Sequence, residues 1–129
     1  MIAVDSSSWI AYTSGASGKD VEALGLALDH RQAVLPPVVL SELLSDPHLP
    51  APLAQLLRGL PLLPTQEGFW ERAGFLRAKF LARGRKSALA DSLIAQSCLD
   101  HDVPLITRDT DFRLFVSWAG LKLFPVDTF

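Results

Sequence analysis

The stretch LITRDTDF, from Leu105 to Phe112, sets two aspartates one residue apart behind apolar and β-branched residues. Asp109 and Asp111 thus stand at the exit of what reads as a buried strand. Like charges this close are either spread into solvent or held by a cation. Other acids decide which applies. Asp5 ends the apolar run IAVD, Glu42 lies in VVLSELL, and Asp91 sits early in ALADSLIAQSCLDH. Carboxylates gathered in one cleft cannot all ionise without a cation. Oxygen donors without histidine or thiol select Mg²⁺ or Mn²⁺. His30, His48 and His101 show no zinc spacing and Cys98 stands alone, so zinc is not expected.

Each acid has a plainer alternative. Asp5, just before Ser6–Ser8, can cap a helix. Glu42 shares a stripe with Ser41, Ser45 and Asp46, which can be the wet side of its helix. Asp91 shares a helix face with Ile94, Ala95 and Cys98. An unpaired carboxylate there is costly or takes up a proton. Its alternative is a first-turn acid favoured by the helix dipole, worth about 0.3–1 kcal/mol. Asp109 and Asp111 can belong to a loop and a helix cap.

The elements that must position these acids follow from patterning. Residues 2–5 read as a buried strand running into a helix over SSSWIAYT. Apolar spacing predicts a helix over 19–31, then a strand at Ala33–Leu35. Pro36 and Pro37 pre-set a helix at Val38–Ser45. DPHLPAP breaks it before another helix at Ala51–Gly59. LPLLP offers a short strand. The longest helix is predicted over Gln66–Arg83, stopped by Gly84. Ser87 is the expected cap of a helix over Ala88–His101. PLIT reads as a strand, DTDFRLFVSW as a loop and short helix, and LKLFPV as a last strand. Alternation of strands and helices implies an α/β fold, a parallel sheet covered on both faces. Ligands of such sheets bind beyond the carboxyl ends of the strands. Right-handed crossovers gather those ends, and with them the acids, on one edge.

The 129 residues predict a single domain over 1–129. Hydrophobic residues make up 49% and charged residues 20%, which excludes a disordered chain. The mean hydropathy of +0.25 is high for a small domain and suggests apolar surface for a partner chain. No run spans a bilayer, MIAVDSSSW has no basic leader, and the lone cysteine fits a reducing compartment. A cytoplasmic protein with no membrane association is expected. The net charge of −2 does not announce nucleic acid. The distribution says more, since Arg72, Arg77, Lys79, Arg83, Arg85 and Lys86 follow one another with no acid among them. A solvated helix face and a phosphate track both fit that run.

The order VDSSSWI, VVLSELL and GRKSALADSLIAQSCLDHDVPLITRDTDF resembles a PIN domain. More narrowly, it is similar to the VapC-type toxins of bacterial and archaeal toxin–antitoxin pairs. The resemblance covers nearly the whole chain and implies a three-layer α/β sandwich with a central, mostly parallel sheet. Carried over residue by residue, the family's acidic quartet falls on Asp5, Glu42, Asp91 and Asp109. Asp111 matches a further acid, giving Asp5, Asp91, Asp109 and Asp111 as implied metal ligands. Ser7 and Thr107 match polar positions that hydrogen-bond around the metal. DPHLPAP departs from the smoother helix pair of the family.

The resemblance implies a Mg²⁺-dependent endoribonuclease, with Mn²⁺ as a substitute, that leaves a 5′-phosphate and a 3′-hydroxyl. It also implies an RNA substrate, a cognate antitoxin and a homodimer. Arg85 and Lys86, just before the Asp91 helix, become the best-placed phosphate contacts. Alternatives stay open: a free-standing nuclease, a silent binding module, or a Mg²⁺ phosphatase with Asp5 as nucleophile. The last wants a second aspartate where Ser7 stands.

Overall fold

The computed structural model describes residues Met1–Phe129. The chain runs β1 (Ile2–Val4), α1 (Ser6–Thr13), α2 (Lys19–Asp29), β2 (Ala33–Val34), α3 (Pro37–Leu44), α4 (Ala51–Gly59) and α5 (Phe69–Ala82). It continues through α6 (Leu89–His101), β3 (Leu105–Ile106), a 3-10 turn (Thr110–Phe112) and α7 (Arg113–Ala119). The strands are parallel, in the order β2-β1-β3. Ala3, Val4, Ala33, Val34, Leu105 and Ile106 are all buried, as unbroken apolar strands of a covered parallel sheet should be. The chain crosses the sheet in one direction from β1 to β2 and in the other from β2 to β3. Right-handed crossovers then place the intervening helices on opposite faces. The α/β class and the parallel sheet are as expected.

The register fixes what meets at the sheet edge. Ala3 pairs with Leu105 and Val4 with Ile106, so Asp5 emerges beside Thr107. The Asp5 amide donates to the Ile106 carbonyl at 2.9 Å and extends that pairing by one step. Pro36 and Pro37 start α3 directly behind β2, as the prolines predict.

Three local expectations are corrected. The strands read from LPLLP and LKLFPV shrink to single parallel bridges, Leu35–Leu62 and Leu105–Leu123. Pro61, Pro64 and Pro125 flank them and lack the amide hydrogen a longer ladder needs. Helix α5 begins at Phe69 rather than Gln66, because Gly68 takes a left-handed φ of 79°. Ser87 does not cap α6. The cap position is Ala88, with no side-chain bond, and the start of α6 is held instead by Arg77, whose Nε donates to the Ser87 carbonyl at 2.8 Å.

Helix α5 has two apolar faces. Phe69, Ala73, Leu76 and Phe80 enter the core, while Trp70 and Phe75 remain about 70% exposed. Further along, Arg72 donates Nε to Asp100 Oδ1 at 3.0 Å and Nη2 to Oδ2, and Gln96 also donates to Oδ1 at 2.8 Å. That bidentate pair ties α5 to the end of α6. No helix is long and apolar enough to cross a membrane.

Candidate metal centre

The site begins at the ends of β1 and β3. Asp5 occupies the N-cap position of α1, yet its side chain makes no capping bond. Its Oδ2 accepts hydrogen bonds from Ser7 Oγ at 2.7 Å and Thr107 Oγ1 at 2.8 Å. Thr107 Oγ1 in turn accepts from the Asp109 amide at 3.0 Å. One hydroxyl therefore couples the acid of β1 to the turn after β3. Asp5 is only 5% exposed. Burial pushes its carboxyl above the ordinary value, the bonds from Ser7 and Thr107 oppose this, and the charge of Asp109 adds to the rise.

Asp91, Asp109 and Asp111 form the core of the cluster. Each offers a carboxylate oxygen, and the three atoms lie within 4.8 Å of one another. Asp91 comes from the first turn of α6, where the apolar side of the helix carries it inward. Its pKa is pushed up to about 7. Burial is the main cause, followed by the charges of Asp109, Asp5, Asp111 and Glu42. All four other acids named from the sequence thus act on Asp91. Glu42 reaches the site from α3, exposed, with Oε1 accepting from Ser6 Oγ at 2.8 Å. Asp109 also caps the 3-10 turn, its Oδ1 accepting from the Asp111 amide at 2.9 Å. The cap reading thus holds for one oxygen of Asp109 and fails for Asp5.

Four ion pairs occur in the molecule, and none includes Asp5, Glu42, Asp91, Asp109 or Asp111. The donor set fits a hard divalent cation: carboxylate oxygens, close together, with mutual repulsion to relieve. It does not fit zinc. Cys98 is buried, and that burial pushes its thiol far above the ordinary value, so no thiolate is offered.

The basic run divides. Arg72 and Arg77 are spent on Asp100 and Ser87, and Arg83 lies over the Trp118 ring, 4.2 Å from its centroid. Arg85 and Lys86 instead line a cleft of about 350 Å³ together with Asp91, Thr110, Asp111 and Arg113. Arg113 escaped sequence reasoning, although its position two residues after Asp111 was a usable signal. So did the pair formed by Asp20 and Arg108, where Arg108 Nε donates to Asp20 Oδ2 at 2.8 Å. Burial alone would raise the Asp20 carboxyl, but bonds from Arg108 and Ser8 and the Arg108 charge hold it below the ordinary range.

Comparison with known proteins agrees with this architecture. The fold matches a toxin–antitoxin complex from Klebsiella pneumoniae at a TM-score of 0.67 and 18% identity, covering 94% of this chain and 95% of that one. VapBC-5 from Mycobacterium tuberculosis, a member of the VapBC family of toxin–antitoxin systems, matches at 0.64 and 18%, covering 95% of each chain. VapBC2 from Rickettsia felis, bound to a DNA fragment from their promoter, matches at 0.69 and 19%, covering 95% of this chain and 97% of that one. No curated protein gives a significant match. The family model described as PIN domain matches residues 2–115. The chain belongs to the PIN-domain family.

Proposed function

We propose that this chain is a Mg²⁺-dependent endoribonuclease, with Mn²⁺ as a substitute, and the toxin of a toxin–antitoxin pair. The observation that carries the reading is the cluster of Asp91, Asp109 and Asp111 with no basic partner, near enough to Asp5 and Glu42 that burial, and then the charges of all four other acids, push Asp91 to about 7. Asp91, Asp109 and Asp111 would hold the ion, with Asp5 beside them. Bound there, such an ion polarises a phosphodiester, lowers the pKa of water and offsets charge on the leaving oxygen. The chain's own part is positioning. Ser7 and Thr107 fix Asp5, so that carboxylate is oriented before any ligand arrives. Glu42 borders the site from α3. Arg85, Lys86 and Arg113 line the cleft next to Asp91 and supply cations for RNA phosphates. The established family membership supports nuclease chemistry as a class, and the acid site supports its dependence on a hard cation.

Replacing Asp5 by Asn keeps shape and removes charge. Mg²⁺-dependent cleavage of RNA should fall roughly 100-fold or more while the fold persists. Cleavage retained at the wild-type rate refutes the reading.

The antitoxin reading draws on a groove of about 280 Å³. Trp9, Ile10, Leu43, Leu49 and Leu53 line it, and Glu42 and Asp46 belong to its wall. An apolar helix with a basic end fits that pattern, and its arginine could satisfy carboxylates in place of the metal. Of the similar structures, one is a toxin–antitoxin complex and another a member of the VapBC family of toxin–antitoxin systems. The exposed Trp70 and Phe75 of α5 favour a homodimer. A monomer mass by light scattering at micromolar concentration would end that part of the proposal.

A further inference from the structure

Arg108 lies between Thr107 and Asp109 in sequence, yet it does not line the cleft beside Asp91. Its side chain reaches the first turn of α2. There Nε donates to Asp20 Oδ2 at 2.8 Å, and Nη2 donates to Asp20 Oδ1 at 2.9 Å and to the Ser17 carbonyl at 3.0 Å. Asp20 Oδ2 also accepts from the buried Ser8 of α1 at 2.8 Å. The Arg108 amide donates to Ser7 Oγ at 3.3 Å, and that hydroxyl donates to Asp5. One residue therefore joins α1, α2 and the turn after β3. The neighbours on either side of it, Thr107 and Asp109, both belong to the acid site.

Gly18 is shaped to admit this arrangement. Its φ is 147°, and a Cβ there would stand 2.7 Å from Asp20 Oδ1 and 3.0 Å from Arg108 Nη2. Any side chain would press on both partners of the pair. A guanidinium fork on a carboxylate fixes direction as well as distance, which a lysine cannot do.

We propose that the Arg108–Asp20 pair is a positioning clamp, which sets where the turn 107–111 holds Asp109 and Asp111 relative to Asp5 and Asp91. It rests on the reading that these acids hold a divalent cation. Neither clamp residue is a ligand or a catalytic residue. They act through the turn, and the site loses its geometry when the fork is lost.

The test titrates Mn²⁺ alone, by calorimetry, into full-length wild type, Arg108→Lys, Asp20→Asn and the double variant. Circular dichroism and thermal melts fix a temperature at which all four are folded. Each single variant should bind Mn²⁺ about 10–100-fold more weakly than wild type. The double variant should be no weaker than the worse single one, because both changes break the same clamp. Lowered melting with wild-type Mn²⁺ affinity overturns the clamp and leaves a purely structural pair. Weakening in Arg108→Lys but not in Asp20→Asn also overturns it, since Arg108 would then act alone. A wild type that binds no Mn²⁺ refutes the cation reading of the acids, and the clamp with it.

Discussion

Asp20 and Asp100 are each met by an arginine, whereas Asp5 and Asp91 are met by none. The side chains of both paired acids are only 7% exposed, so they too need a partner. The bonds from Arg72 lead in holding Asp100 below the ordinary carboxylate range. Asp91 is pushed the other way, by burial and then by four further acids. The same chain thus solves the buried-carboxylate problem twice with its own cations and leaves it unsolved at the sheet edge. Acids left without a basic partner at one place, beside buried acids paired with arginine elsewhere, support the proposed site, whose cation would come from outside.

Matched substitutions should break this contrast with opposite signs. Asp100→Asn removes the partner of Arg72 and should lower the melting midpoint by about 2–5 °C. Asp91→Asn removes a repelled charge and should leave the metal-free midpoint equal or higher. A large loss in Asp91→Asn would make that acid structural. The pH dependence follows the same division. Asp20 and Asp100 have lowered folded pKa values, so their contribution is present above the unfolded value of 3.8 and is lost as pH falls through the folded value. Asp91 has a raised one. Its contribution is full below 3.8 and is lost as pH rises from there through about 7. Metal-free wild type should therefore lose stability across that upper window, and Asp91→Asn should flatten the loss. Melts across the acid and neutral range check both limbs.

A smaller effect separates the free cations of the basic run from the committed ones. Changing Arg85 and Lys86 together to Ala should weaken RNA binding and reduce the slope of log K against log salt by about 1–2. An unchanged slope would assign both residues to solvated surface.

Much of this was legible in the sequence. Unbroken apolar runs ending in acids placed Asp5, Asp109 and Asp111 at strand exits, and parallel topology brought those exits together. Helical spacing set Asp91 on the inward face with Ile94 and Cys98. What stayed hidden depends on packing between distant segments. Arg108 and Asp20 are 88 residues apart, and their meeting follows from how α2 lies against the turn after β3. The division of the basic run was hidden for the same reason, since it takes α6 to supply Asp100 and the Ser87 carbonyl just ahead of it. Ser87 looked like a cap on local preference, but Arg77 took over the start of α6. LKLFPV looked like a strand until proline and the fold's edge limited it to one bridge.

In the proposed function the sheet-edge acids form one cation site. Calorimetric titration of Mn²⁺ into the metal-free wild type and Asp91→Asn, at a pH above 7 where Asp91 gives up its proton, tests it most directly. Saturable binding in the wild type, competition by Mg²⁺, and at least about tenfold weaker binding in Asp91→Asn are expected. Equal affinity in the two proteins would contradict it.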